Sequence, residues 1–337
     1  MTQVYGMDEV DRSLVHALQI HPRAPWSLLG EVLELDPVTV ARRWQRLENA
    51  GLAWVTAYPR ATDVHNVVTA IVEVDTAPGA ASRVAGAVAR FPWAVNVKET
   101  AGGRDLVVNV QAQDVRQLWQ HITTGLSTVE GVVAARTHLV TGQTLDGSSW
   151  RLRSLDAAQR TRLEQAAATP GVSVRAAWDE VDTLMVTLLN ADGRISIRDL
   201  AARTGLTVST AGRRLRHLLA ARVTLRCDVA RSLSGWPFAA VYFASAPAEK
   251  LREIVSVLAA VPEVRSCVIA SGPHNLIVDV WLRGLPDVHA LEAHLSARLP
   301  VDVRDRSVVV RTTKHMGRLL DDDGRCVELV PVDLFGV

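Results

Sequence analysis

At 337 residues with a formal net charge of +1, the chain is long enough for two or more domains and too nearly neutral to bind polyanions over its whole surface; affinity for nucleic acid must come from local patches. Its three cysteines, Cys227, Cys267 and Cys326, are odd in number and far apart. That excludes a disulfide framework and a metal-spaced pair, and it fits a reducing, cytoplasmic setting. No basic segment followed by an apolar one opens the chain, and no apolar run reaches the ~18 residues of a membrane span, so neither a signal peptide nor a membrane partner is expected.

Met7–Leu47 reads as three short helices, of which the third carries the charge. Asp36-Pro37 opens it, because an aspartate caps free N–H groups and proline suits the first helical position. Three arginines face one acid between Asp36 and Leu47. Only three of the 37 basic residues in the whole chain are lysines. Arginine favours fork-shaped contacts to phosphate and guanine, although GC-rich coding gives the same bias. Gly51 breaks the chain, and Leu52–Tyr58 reads as a short strand in the position of a wing.

Residues 64–139 alternate strand and helix. The order is strand Val67–Val74, turn Pro78-Gly79, helix Ala81–Phe91, strand Val95–Thr100, turn Gly102-Gly103, strand Leu106–Val110, a helix capped by Asp114, and strand Val132–Leu139. This β-α-β-β-α-β pattern is a ferredoxin-like unit, four antiparallel strands with two helices on one face. A polar loop, Gly142–Ser149, and a helix over Leu155–Ala168, ended by Thr169-Pro170-Gly171, form the connector.

Trp178–Leu218 repeats the three helices. Val181, Leu184, Met185, Leu188 and Leu189 give the first an apolar face. Ser196 with Asp199 forms a capping box on the second, and Gly205 ends it. Thr207 caps the third, which turns Val208, Ala211, Leu215 and Leu218 inward and Ser209, Thr210, Arg213, Arg214, Arg216 and His217 outward. A helix, a glycine turn and a capped helix with a basic face make a helix-turn-helix signature; a three-helix bundle with a solvated charged face reads the same way.

The repeat is gapless. Asp8–Asp11 and Asp179–Asp182 are identical, and at the same offset of 171 Arg23 meets Arg194, Thr39 meets Thr210, and Arg42-Arg43 meet Arg213-Arg214. Pro25 and Glu34 stand where the second copy has Ser196 and Gly205. Val229–Val310 repeats the ferredoxin-like order: Gly102 meets Gly272 and Asp105 meets Asn275, while Arg136-Thr137 recurs as Arg311-Thr312. The expected organisation is a helix-turn-helix over 1–60, a sheet domain over 61–142, a linker over 143–177, a second helix-turn-helix over 178–228, a second sheet domain over 229–316 and a tail over 317–337. The apolar end of the tail is expected to add an edge strand or dock on a neighbour. The nine tryptophans stand singly and read as core and interface residues.

Asp179–Asp182, Gly193-Arg194, Gly205-Leu206-Thr207, Arg213-Arg214 and the Gly102–Asp105 turn together resemble the Lrp/AsnC family, the feast/famine regulators of bacteria and archaea. Usual members carry one copy; this chain resembles two fused end to end. The resemblance implies an α+β chain in which two winged helix-turn-helix domains alternate with two ferredoxin-like domains. It implies a transcription regulator whose partners are double-stranded DNA, a small-molecule effector such as an amino acid, and further copies of itself. No catalytic residue, metal or cofactor is expected.

The readers of DNA it implies are Thr39, Arg42, Arg43 and Arg46 on one third helix, and Ser209, Thr210, Arg213, Arg214 and Arg216 on the other. Whether the copies pair within a chain or between chains, readers that differ favour an asymmetric DNA site. The effector site it implies lies at two turns: Gly102, Gly103 and Asp105, and Gly272, His274 and Asn275. A carboxylate at Asp105 would meet an α-ammonium group, which Asn275 could not, so the two sites are expected to differ. A plain hairpin turn with a capping Asp is the other reading. The architecture also resembles the fused sirohaem decarboxylases, which would set histidines and basic residues around a tetrapyrrole. His274 echoes that arrangement, but the first copy has Arg104 in its place, and the histidines show no metal-ligand spacing.

Overall fold

The computed structural model describes residues 6–59, 67–167 and 179–332; Thr169-Pro170-Gly171, Trp178 and the last five residues of the tail lie outside them. In chain order the elements are α1 (Glu9–Ile20), α2 (Trp26–Leu33), α3 (Pro37–Asn49), β1 (Ala53–Pro59), β2 (Val68–Thr76), α4 (Ala81–Ala89), β3 (Ala94–Ala101), β4 (Leu106–Ala112), α5 (Val115–Gln120) and β5 (Val132–Leu145). Then follow α6 (Ala157–Ala167), α7 (Glu180–Ala191), α8 (Ile197–Thr204), α9 (Val208–Ala221), β6 (Val223–Val229), β7 (Phe238–Ser245), α10 (Leu251–Leu258), β8 (Val264–Ala270), β9 (Leu276–Leu282), α11 (Asp287–Arg298), β10 (Asp302–His315), β11 (Arg318–Leu320) and β12 (Cys326–Leu329). These elements gather into two compact units, each built from both halves of the chain: residues 1–65 with 151–230, and 66–150 with 231–337.

The helical unit contains both three-helix segments. Caps set the helix starts: Asp8 and Asp11 exchange side-chain-to-backbone bonds at α1 (Asp11 N–H to Asp8, 2.7 Å), Ser196 takes the Asp199 N–H at α8, and Thr207 takes the Thr210 N–H at α9. Asp36 takes the N–H groups of Val38 and Thr39 at α3. The strand expected in the wing position, β1, runs antiparallel to its own counterpart β6 with Thr56 opposite Arg226, so the two copies share a two-stranded ribbon. One expected face is rotated. Helix α7 buries Met185, Val186, Leu189 and Asn190, with the Asn190 amide bonded to the Ala57 carbonyl of β1, and this turn toward the ribbon leaves Leu184 42% exposed.

Two reciprocal clasps complete the pairing. Arg23 donates to the carbonyls of Gly193 (2.6 Å) and Ile195 (2.8 Å), and Arg194 donates to the equivalent carbonyls of Pro22 (2.6 Å) and Ala24 (2.9 Å). The contact is isologous, as in a two-fold dimer, but both partners lie in one chain. Gly193 fits because the turn closes on β1: its N–H bonds the Val55 carbonyl at 2.9 Å, and a Cβ there would lie 2.4 Å from a Val55 methyl carbon. Burial holds Arg194 down at about 10, since the guanidinium is surrounded by neutral carbonyls and a second arginine.

The sheet unit joins its ten strands in the order β12-β11-β10-β3-β4-β2-β5-β8-β9-β7, and β10 also pairs with β7, which closes eight of them into a ring. Each of the two longest strands crosses between halves. In β5, Ala134–Leu139 pairs with β2 and Val140–Leu145 with β8; in β10, the first part pairs with β7 and the rest with β3. Alternation along the strands then splits the side chains. Val72, Val74, Val97, Val108 and Val110 pack with α4 and α5, and Ala240, Tyr242, Val278 and Val280 with α10 and α11. The alternate residues face the interior of the ring. The register also corrects the sequence repeat: β2 sets Ile71 opposite His138, and β7 sets Val241 opposite Ser307. The counterpart of Arg136 is therefore Asp305, not Arg311, because strand pairing and not letter identity fixes equivalence. The tail adds an edge strand as expected, β12 on β11.

Candidate nucleic-acid interface and effector site

Both third helices present a polar face built from alternate roles. On α3, Arg42 is exposed, while Arg43 lies 2.8 Å from Asp8 and 2.9 Å from Asp11, and Arg46 also bonds Asp11. On α9, Arg213 and Arg216 are exposed, while Arg214 lies 2.7 Å from Asp179 and 2.8 Å from Asp182. The acid pair that caps each first helix thus anchors the second arginine of each third helix. These carboxylates hydrogen-bond Arg43 and Arg214 and hold both guanidinium groups above their ordinary range. Arg43, Arg46 and Arg214, expected as readers, are therefore committed to fixing the helices against each other.

Thr39 and Thr210 are half-buried near the helix starts, with their N–H groups already capped, and Ser209 is exposed. Two apolar residues join this face. Val38 is 74% exposed and Val208 55%, where Val208 was expected inward. Both stand in the first turn, where the backbone leaves the preceding cap and the side chain has no neighbouring helix to cover it. Sequence periodicity could not separate a first-turn valine from a core one.

The two candidate effector turns come together in the sheet unit, around a buried charge cluster that the sequence reading did not identify. Arg104, between Gly103 and Asp105, reaches Glu73 at 2.5 Å and Ser307 at 2.7 Å, bonds Asp305 as well, and lies 4.0 Å from the Phe243 ring centroid. His138 bonds Glu73 at 2.5 Å and approaches the Ser271 carbonyl at 3.3 Å. His274, the counterpart of Arg104, stands with ring centroids 6.3 Å from His138 and 5.8 Å from Phe243. Lys98 meets Asp279 at 2.6 Å. Burial alone would raise the Glu73 carboxyl, but His138 and Arg104 hold it at about 2; the same bond from Glu73 raises His138.

Within the turns, Gly102 and Gly272 adopt φ of 144° and 101°, and Gly103 passes against Asp305. Asp105 is not a free carboxylate. One oxygen accepts from the Thr76 N–H at 2.7 Å and the Thr76 hydroxyl at 2.9 Å. Asn275 accepts from the Ala246 N–H at 2.9 Å and donates to the Ala246 carbonyl at 2.8 Å. Each residue ties its turn to the end of the first sheet strand of its half, β2 or β7. The Asp/Asn difference follows the local partner, a hydroxyl in one copy and a carbonyl in the other, which removes the reason for expecting one charged and one dead ligand site.

Comparison with known proteins agrees with this geometry. The AsnC-type helix-turn-helix domain matches residues 7–48 and 179–219, and the Lrp/AsnC ligand binding domain matches residues 69–150. The HTH-type transcriptional regulator FL11 of Pyrococcus furiosus is 24% identical over 135 residues, 40% of this chain and 89% of that protein. The HTH-type transcriptional regulator AldR of Mycolicibacterium smegmatis is 26% identical over 140 residues, 40% of this chain and 81% of that protein. Among solved structures, the siroheme decarboxylase NirDL superposes with a TM-score of 0.58 at 11% identity, covering 94% of this chain and 96% of that one, a likeness of fold. With two helix-turn-helix segments, a ligand-binding domain and a second sheet domain of the same strand order, the chain belongs to the Lrp/AsnC family in a tandem-duplicated form.

Proposed function

We propose that this Lrp/AsnC-type protein is a sequence-specific DNA-binding transcription regulator in which one chain does the work of a dimer, modulated by a small molecule at the sheet unit. The observation that carries the reading is the division of labour on the third helices. Arg43 and Arg214 are fixed to acid pairs, while Arg42, Arg213 and Arg216 project free of them. A positioned helix with exposed arginines suits guanine and phosphate contacts, and hydroxyls at Thr39, Ser209 and Thr210 suit phosphate. Val38 and Val208 offer methyl groups of the kind that meet thymine. Because the two faces differ, the preferred site is asymmetric. The turns Gly102–Asp105 and Gly272–Asn275 border one polar cluster, which is the natural place for an effector such as an amino acid to act.

The sirohaem-decarboxylase reading fits the interior less well. His138 uses both ring nitrogens on Glu73 and Ser271, and Arg104 is tied to three partners, so neither is free for a tetrapyrrole. The test is affinity for a duplex selected from a random library. Arg42→Ala with Arg213→Ala should weaken binding at least tenfold, given about 1–3 kcal/mol for each good base contact, while the melting temperature stays put. Arg43→Ala with Arg214→Ala should lower stability. Unchanged affinity in the first double variant, or a Soret shift on adding an iron tetrapyrrole, overturns the reading.

A further inference from the structure

A groove between α11 and the turn after α10 encloses about 530 Å³ and is lined by Val261, Glu263, Leu291, His294, Leu295 and Arg298 among others. The other half of the chain shows what shape belongs there. At the equivalent place, the Trp93 indole is stacked between Phe91 (centroids 4.5 Å, planes 12° apart) and His121 (5.0 Å, 13°). Gly125 makes room for it: a Cβ there would lie 2.9 Å from the indole. The shared order of elements equates Phe91-Pro92-Trp93 with Val261-Pro262-Glu263. It equates the buried Leu118, Ile122 and Leu126 with Leu291, Leu295 and Leu299, and hence His121 with His294 and Gly125 with Arg298. In one half an indole fills the slot; in the other its imidazole platform remains, the indole is gone and two opposite charges have arrived.

We propose that this groove binds a planar aromatic molecule carrying an ammonium group. The ring stacks on His294, bounded by Val261, Leu291 and Leu295, and is set off from the Trp93 position because Arg298 carries the Cβ that Gly125 lacks. The ammonium group pairs with Glu263. Among the described residues, the side chains of Glu263, His294 and Arg298 make no hydrogen bond or ion pair, so the charges are available. A ligand that also carries a carboxylate gains Arg298. The site is separate from the Gly102–Asp105 and Gly272–Asn275 turns and does not depend on DNA binding.

Titration calorimetry of the full chain with tryptamine, L-tryptophan and indole-3-acetate tests the assignment. Tryptamine and tryptophan should bind, tryptophan more tightly, and indole-3-acetate at least tenfold more weakly than either, because it lacks the group that Glu263 would take. Glu263→Gln should weaken both binders about tenfold, the size of one hydrogen bond to a charged group. Arg298→Ala should erase the difference between tryptophan and tryptamine. Val261→Phe with Glu263→Trp and Arg298→Gly should refill the slot and abolish binding; the two single-charge variants serve if that one folds poorly. Equal binding of indole-3-acetate, tryptophan affinity unchanged by Glu263→Gln, or no binding of either amine at millimolar concentration overturns the proposal.

Discussion

Arg23 and Arg194 make the same two bonds in opposite directions, whereas Glu73 and Phe243, equally equivalent in the strand order, share only a place. The difference lies in the partners. The clasping arginines meet backbone carbonyls, which every residue supplies, so both directions survive substitution of the residues that carry them. In the ring, side chain meets side chain. One half keeps the charged set Glu73, Arg104 and His138; the other answers with Phe243, His274 and Ser307. A homodimer would place two copies of each set across the axis, with Glu73 facing Glu73. Fusing the halves removes that constraint and lets the two sides of the ring diverge.

The largest effect should come from breaking that interior. Arg104→Ala leaves Glu73 buried with His138 as its main partner, and removing one member of a buried pair costs about 3–5 kcal/mol. Replacing both, Glu73→Leu with Arg104→Met, should recover part of the loss, because no unpaired Glu73 carboxylate is then buried, while His138 and Asp305 each lose a partner. Urea unfolding measures both. A loss under about 1 kcal/mol for Arg104→Ala would mean that the cluster does not hold the ring.

A smaller effect separates the two units by pH. His16 on α1 accepts the N–H groups of Ser154 (2.9 Å) and Leu155 (3.0 Å) through Nδ1, so it must be neutral there. Burial, helped by Arg151, Arg160 and Arg153, pushes it down to about 4 from 6.5. Above pH 6.5 neither folded nor unfolded chain protonates it and its contribution is complete. Between pH 6.5 and about 4 the unfolded chain takes up a proton that the folded one refuses, which removes about 3 kcal/mol from the helical unit. His138 has the opposite sign. Its raised value makes its contribution complete below its ordinary pKa, to be lost as pH rises through the folded one. Hydrogen exchange at pH 5 against pH 7.5, corrected for intrinsic rates, should therefore show protection falling in α1 and not in β2 and β5. His16→Gln should flatten the slope; an unchanged slope would assign the acid sensitivity elsewhere.

Much of this was written in the sequence. The caps Ser196, Asp36 and Thr207, the β-α-β-β-α-β order and the internal repeat depend on local chemistry and spacing, and each appears where expected. What escaped was long-range. Nothing near Asp105 in the chain shows that Thr76 will take its carboxylate. Nothing near Arg43 shows that Asp8 and Asp11, more than 30 residues earlier, will claim its guanidinium. Residue type announces a charge; only the fold decides whether the charge is spent inside. Equivalence was misjudged for the same reason. Arg136 and Arg311 match as letters, but crossing strands are aligned by their neighbours across the sheet.

The smallest prediction concerns the turn before each third helix, where the halves differ at the residue in the left-handed region. Glu34 and Gly205 both end their helices in the left-handed region, at φ 56° and 68°. A residue with a Cβ carries a cost of about 1–2 kcal/mol there that glycine does not. Glu34 is exposed, so Glu34→Gly forfeits no packing. The gain is reduced by the wider freedom of glycine in the unfolded chain, about 0.4–1 kcal/mol, so a net stabilisation of about 0.5–1 kcal/mol is expected. Gly205→Ala should cost a similar amount in the other half. If instead Glu34→Gly destabilises, the Glu34 side chain contributes to the turn in a way that its exposed position does not reveal, and the two turns are not the same device with different residues. If it stabilises without altering DNA affinity, the strained turn is a relic of divergence; if affinity falls, the stiffness of a residue with a Cβ at this hinge holds the angle between α2 and α3 on which the α3 reading face depends.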